Sequence, residues 1–194
     1  MKKIIFTANI NNYDIPEIPT IPLGWDFLLF TESKLNTDPQ RQARHIKLCP
    51  HLYFEFDEAV WIDSNAILKS DVIFNIDFQF VSMKHPHRSC IYDEINACIK
   101  YNKADPELLH KQIKYYASNG MPCNTGLISS GLNFRKNTKK VAKFCEKWFS
   151  HIKKFTARDQ LSFSYLAWKE GFEYQTIDYC VDIMRKHRKD NNGA

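Results

Sequence analysis

Short apolar runs alternate with longer amphipathic ones along this chain, and that alternation limits it to a layered α/β architecture. Strand-length segments run from Lys3 to Ala8, Asp26 to Thr31, Ala59 to Asp63, Phe78 to Met83 and Gly126 to Ser130. Helical periodicity fills the intervals. Val141, Phe144, Cys145, Trp148, Phe149 and Ile152 fall at i, i+3, i+4, i+7 spacing, which makes one apolar stripe for core packing. Asp105-Pro106 has the chemistry of a helix start, an N-cap Asp followed by Pro at the first helical position, with Leu108, Leu109, Ile113 and Tyr116 on the inner face. Arg158-Asp159-Gln160 opens a further helix carrying Leu161, Tyr165 and Trp168, which Gly171 terminates. Thr156-x-x-Asp159 reads there as a capping-box variant.

The chain of 194 residues, 44% hydrophobic and 14% aromatic, is long enough for one well-buried core. One domain is predicted over residues 1–190, with 191–194 as a frayed tail. No apolar stretch is long enough to span a bilayer, and the run after Met1-Lys2-Lys3 ends at Asn9, so it reads as a first strand. The six cysteines show no Cys-x-x-Cys spacing, which points to buried free thiols and a cytoplasmic protein. Net charge is +5, with Arg185, Lys186, Arg188 and Lys189 crowded near the end. That basic tail suits anionic lipid headgroups or substrate phosphates, giving an expectation of peripheral association with a membrane surface. No recognised nucleic-acid-binding motif accompanies it, so no nucleic-acid partner is expected.

The run Ala59-Val60-Trp61-Ile62 delivers Asp63-Ser64-Asn65 to the end of a buried strand. Residues i and i+2 of an extended segment share a face, so Asp63 and Asn65 can grip one hard divalent cation while Ser64 turns away. Carboxylate and amide oxygens suit Mg²⁺ or Mn²⁺. The triplet is also ordinary turn chemistry, and in α/β folds ligands gather beyond the carboxyl ends of strands.

Four other clusters could carry chemistry. Arg41, Arg44 and His45 share a helical face beside Lys47, a basic surface able to hold a diphosphate. Lys84-His85-Pro86-His87-Arg88 runs into Tyr92-Asp93-Glu94, which concentrates titratable groups; His85, His87 and Arg88 are candidates for ligand or substrate contact, and Asp93 for a further acidic role. Asn124-Thr125-Gly126 places a glycine where backbone can approach a ligand. Arg158, Asp159 and Gln160 sit at a helix start, where Asp159 is either a cap or a general base.

Taken in order, the Asp-x-Asn strand end, the Asn-x-Gly segment, the Arg-Asp-Gln helix start and a late His resemble the parts of GT-A-fold, nucleotide-sugar-dependent glycosyltransferases. Trp61 to Asn65, His85 to Glu94 and Arg158 to Phe163 are similar, more narrowly, to a glycosyltransferase family that includes plant mucilage-related and turgor-regulation proteins alongside bacterial and viral members. The resemblance runs from about Arg41 to His187. It implies a GT-A-like mixed sheet flanked by helices in a single domain. Asp63 and Asn65 would hold Mn²⁺ or Mg²⁺, with His187 completing the metal shell and Asn replacing the second Asp of the usual motif. Gly126 and Asn124 would lie near the donor sugar, and Asp159 would face the acceptor as base, favouring inversion. Thr7 and Asn9 would form the nucleotide-binding edge, and Ser64, Arg158 and Gln160 join the substrate contacts. The expected donor is a UDP-sugar and the acceptor a glycan or glycoconjugate hydroxyl. Two other functions share these residues: a phosphoesterase, which wants more clustered carboxylates, and a non-catalytic nucleotide- or sugar-binding module.

Overall fold

The computed structural model describes residues 1–183 apart from Glu17, Ser70 and Asn75. The predicted basic tail therefore lies outside the described residues. Among the described residues eight strands form: β1 (Lys3–Ala8), β2 (Asp26–Phe30), β3 (Glu58–Ile62), β4 (Ala66–Leu68), β5 (Phe80–Lys84), β6 (Ile128–Lys136), β7 (Gln175–Ile177) and β8 (Val181–Ile183). The helices are α1 (Pro39–Leu48), α2 (Ile91–Lys100), α3 (Pro106–Ser118), α4 (Lys139–Lys154) and α5 (Asp159–Glu170). Six strands make one sheet in the order β2-β1-β3-β6-β5-β7, and β4 pairs with β8 in a separate ribbon. β1 runs parallel to β2 and β3, while β6 is antiparallel to both β3 and β5. This is the predicted mixed α/β sheet in a single domain.

Period-two alternation sorts the central strands between the faces. Ile4, Phe6, Ala59 and Trp61 pack with Ile46 of α1, whereas Ile5, Val60, Val81 and Phe134 pack with Ala66 and Val181 of the ribbon. All six stripe residues of α4 are buried, as their spacing predicts. The Asp105 side chain accepts from Leu108 N at 2.8 Å with Pro106 in the first turn of α3, and Gly171 ends α5 at φ +58. The inner face of α3 is narrower than predicted, with Leu109 and Tyr116 joined by buried Gln112 while Ile113 is only partly covered.

The capping box does not form. Thr156 directs its hydroxyl to Gln112 Oε1 at 2.7 Å, and Arg158 is the N-cap of α5 with no side-chain cap. Thr138 does cap α4, accepting from Val141 N. Thr138→Ala should destabilise the protein by about 1 kcal/mol, measurable as a lowered urea midpoint at unchanged m-value.

One strand is longer than its sequence suggests. The predicted strand ends at Ser130, before Gly131, yet β6 continues to Lys136 because both its edges are paired. Its register against β5 jumps between Ser82, opposite Asn133, and Met83, opposite Ser129. The residues looped out there are Ser130 to Leu132, and they lie beside the end of β3.

Candidate active site at the end of the central strands

Asp63 leaves β3 with its amide donating to Gly131 O at 2.8 Å, so the bulge of β6 fixes where the chain turns. Its carboxylate faces a cleft of about 1050 Å³ lined by residues from β1, α1, β3, β6 and the start of α5. That volume lies just above the roughly 300–1,000 Å³ typical of small-ligand sites. Trp61 Nε1 donates to Asp63 Oδ1 at 2.7 Å, which holds the side chain in one orientation. Trp61 itself is 2% exposed and packs edge-on to Phe6, so it serves the core and orients the acid rather than offering a stacking face. A Cβ on Gly131 would lie 3.3 Å from Asp63 Oδ2, so the missing side chain leaves a cradle beside this oxygen.

The triplet is not extended as predicted: it forms a turn closed by Ala66 N donating to Asp63 O at 2.9 Å, and Ser64 lines the cleft with Asp63 and Asn65 instead of turning away. Its hydroxyl donates to Asp14 Oδ2 at 2.7 Å. Asn9 in turn brackets the Asp14 backbone, with Nδ2 donating to its carbonyl at 3.0 Å and Oδ1 accepting from its amide at 2.9 Å. Asn11 and Asn12 take left-handed φ values of 57 and 50 between them, a conformation that Asn tolerates. The turn after β1 is thereby tied to the end of β3, and Asn9, Tyr13, Asp14, Asp63, Ser64 and Asn65 share the cleft. Thr7 is buried on β1 and does not line it.

An ion-pair network adjoins Asp63: Arg44 and Asp159 line the cleft, whereas Lys47, predicted as a substrate contact, does not. Lys47 Nζ donates to Asp159 Oδ2 at 2.7 Å and stands 3.6 Å from Asp63 Oδ1, with both Lys47 and Asp159 almost fully buried. Arg44 Nε lies 3.3 Å from the same Asp159 oxygen. Burial by itself would raise the Asp159 carboxyl, but Arg44 and Lys47 outweigh it and hold the group well below the usual carboxylate range. Burial pushes the Lys47 ammonium down, against the pull of Asp159 and Asp63. Asp159 Oδ1 accepts from Gln160 N at 3.0 Å, so both of its oxygens are engaged.

The predicted basic face of α1 divides among three partners. Arg44 enters the cleft, Arg41 donates to the carbonyls of Ile152 and Phe155 at the end of α4, and His45 Nδ1 meets Tyr53 OH at 2.6 Å. Arg158 and Gln160 line the cleft as well. His85, His87, Arg88, Asn124, Gly126 and Asp93 do not. His85 Nδ1 accepts from the amides of His87 and Arg88, which makes it a loop organiser. Gly126 has φ +90 and donates its amide to Ser89 O, and a Cβ there would meet Tyr174 OH at 3.3 Å. Its glycine serves a turn, and the glycine that borders the cleft is Gly131. His187 lies outside the described residues.

Asp14, Ser130, Gly131 and Tyr179 line the cleft without a motif in the sequence to mark them. Their only sequence signal is position: each follows, or interrupts, a strand near the end where Asp63 sits. Five cysteines are buried and Cys123 is exposed, all six as free thiols. No helix among the described residues is long and apolar enough to cross a membrane.

The fold is thus a mixed α/β sheet whose central strand β3 ends at a cleft of about 1050 Å³. The family model of the TOD1/MUCI70 glycosyltransferase-like domain matches residues 23–187, and the chain belongs to that family. No curated protein matches it in sequence. Among solved structures it is similar to a glycosyltransferase involved in glycosylation of the major capsid of PBCV-1, at 11% identity and TM-score 0.49, over 92% of this chain and 82% of that one. It is also similar to mouse xyloside xylosyltransferase 1, at 8% identity and TM-score 0.45, over 91% of this chain and 84% of that one.

Proposed function

We propose that the protein transfers a sugar from a nucleotide-diphosphate donor, with UDP-sugars the first candidates, to a glycan or glycoconjugate hydroxyl with the help of Mn²⁺ or Mg²⁺. The observation that carries this reading is that Asp63, Asn65 and Asn9 line one cleft together with Arg44 and Arg158. The donor set fits a hard cation. Asp63 Oδ2 stands beside the space that Gly131 leaves, and the Asn65 amide offers a second oxygen. No group of three or more His, Cys, Asp or Glu able to hold a metal occurs among the described residues. The remaining ligands would then be donor phosphate oxygens, water and His187.

A divalent ion bound there would stabilise the charge that develops on the diphosphate as the sugar leaves. The chain's own residues do the rest. Trp61 and Lys47 hold Asp63 in place, and the Ser64–Asp14–Asn9 links fix the turn that would border the nucleotide. Arg44 and Arg158 supply fixed positive charge, preorganised for the leaving group. Asp159 anchors Lys47 and Arg44. To act as the base, as its position at a helix start also allows, it would first have to release Lys47. Few carboxylates cluster at Asp63, which disfavours the two-metal phosphoesterase alternative.

A thermal-shift titration with Mn²⁺ and a panel of nucleoside diphosphates tests the reading. The expected result is stabilisation by one nucleotide only when metal is present, and its loss in Asp63→Ala. Stabilisation that ignores metal, or survives Asp63→Ala, would defeat the metal assignment. If no nucleotide acts, the donor site itself is refuted.

A further inference from the structure

Of the adjacent acids in the motif after the histidines, the one chosen from sequence points the wrong way. Asp93 is exposed on α2, whereas Glu94 is 3% exposed and sits among cationic and polar side chains. Its Oε2 accepts from Arg88 Nε and lies 3.5 Å from His85 Nε2. Its Oε1 accepts from Gln160 Nε2 at 3.2 Å, with Arg158 Nη2 at 3.8 Å and Cys98 Sγ at 3.6 Å. Because His85 Nδ1 accepts two backbone amides, a neutral His85 carries its proton on Nε2, the nitrogen facing Glu94.

The arrangement has two sides. On one side are Arg88 and His85, in the loop after β5, neither of which lines the cleft. On the other are Arg158 and Gln160, which do. We infer that Glu94 is the positioning residue that sets Arg158 and Gln160 in the cleft wall, so that the His85–Arg88 loop acts on substrate only through it. A buried carboxylate bonded to charged donors is among the stronger polar interactions a protein makes. Around a guanidinium and an amide that would otherwise sample several rotamers, it selects one. Arg158 Nε is buried with no hydrogen-bond partner, so charge and the Gln160 contact hold this wall more than a saturated bond network does. The inference rests on the transferase reading only in giving the wall a substrate to bind.

The test separates the two. In Glu94→Gln, side-chain ¹⁵N–¹H signals of Arg158 Nε and Gln160 Nε2 should shift and broaden while amide signals of the central strands stay in place. If both side-chain signals are unchanged, the inference is overturned whatever the activity. For wild-type protein that turns over a nucleotide-sugar, Glu94→Gln should raise KM roughly 10- to 100-fold, the size of one lost charged hydrogen bond, with a smaller change in kcat. Adding Gln160→Ala should then cost little more, because the two act as one unit; full additivity would overturn the inference. Should Glu94→Gln fail to fold, Glu94→Asp keeps the charge but withdraws it by one methylene, and the same signals decide. Wild type that binds no nucleotide would count against the transferase reading and leave the side-chain signals to judge Glu94.

Discussion

Asp159→Ala is expected to destabilise the protein by about 3–5 kcal/mol, the usual result of removing one partner from a buried ion pair. Lys47 would be left almost fully buried, with Asp63 at 3.6 Å as its nearest remaining anion, and Arg44 would lose its partner too. Chemical denaturation measures the loss directly. Lys47→Met combined with Asp159→Leu should recover much of it, because a dry hydrophobic pair costs less than a single orphaned charge. The pH dependence has a definite sign. A carboxylate held below its ordinary range stabilises the fold fully above about pH 4, the unfolded value, and that contribution drains away only as pH falls toward the lower folded value. The stability gap between wild type and Asp159→Asn should therefore stay flat from neutral pH down to about pH 5 and narrow only in stronger acid. The same variant separates two roles. If Asp159 is purely a base, Asp159→Asn should lower turnover about 10²–10⁴-fold with melting unchanged. If it is an anchor, activity and melting temperature should fall together.

Asp63→Asn is expected to do the opposite: lose function and keep the fold. The Asp63 side chain is 30% exposed, and an amide oxygen can still accept from Trp61 Nε1, so the melting temperature should stay close to wild type. Transfer should fall roughly 10²–10³-fold, the cost of removing one preorganised charge from a site of this kind. Steady-state kinetics across a Mn²⁺ series checks it. A requirement for more metal, with kcat partly restored at saturation, would place the loss in metal binding, whereas unchanged activity would remove Asp63 from the site.

The position of Asp63-Ser64-Asn65 at the end of β3 was legible because a polar triplet after a buried run is local chemistry, and the cleft does open there. The α4 stripe and the Asp105-Pro106 helix start were legible for the same reason. The basic face of α1 was not, because i, i+3, i+4 spacing places residues side by side without saying what they meet. Tertiary packing sent Arg41 to the end of α4, Arg44 to the cleft and His45 to Tyr53. Glu94 was passed over for its neighbour because one step along a helix is about 100° of rotation, and only packing against α5 shows which acid turns inward. The extension of β6 past Gly131 was hidden because it depends on pairing with β3 and β5, whose residues are distant in the chain.

What the sequence determined by itself was therefore whatever depends on a residue and its near neighbours: strand and helix periodicity, helix starts and stops, the oxygen donors at the end of β3, and likeness to a glycosyltransferase family. What only the tertiary structure decided was which charges meet. Asp159 is bound to Lys47 across 112 positions and Glu94 to Gln160 across 66. A buried charge takes its partner from whatever the fold brings within reach, and no local pattern carries that distance.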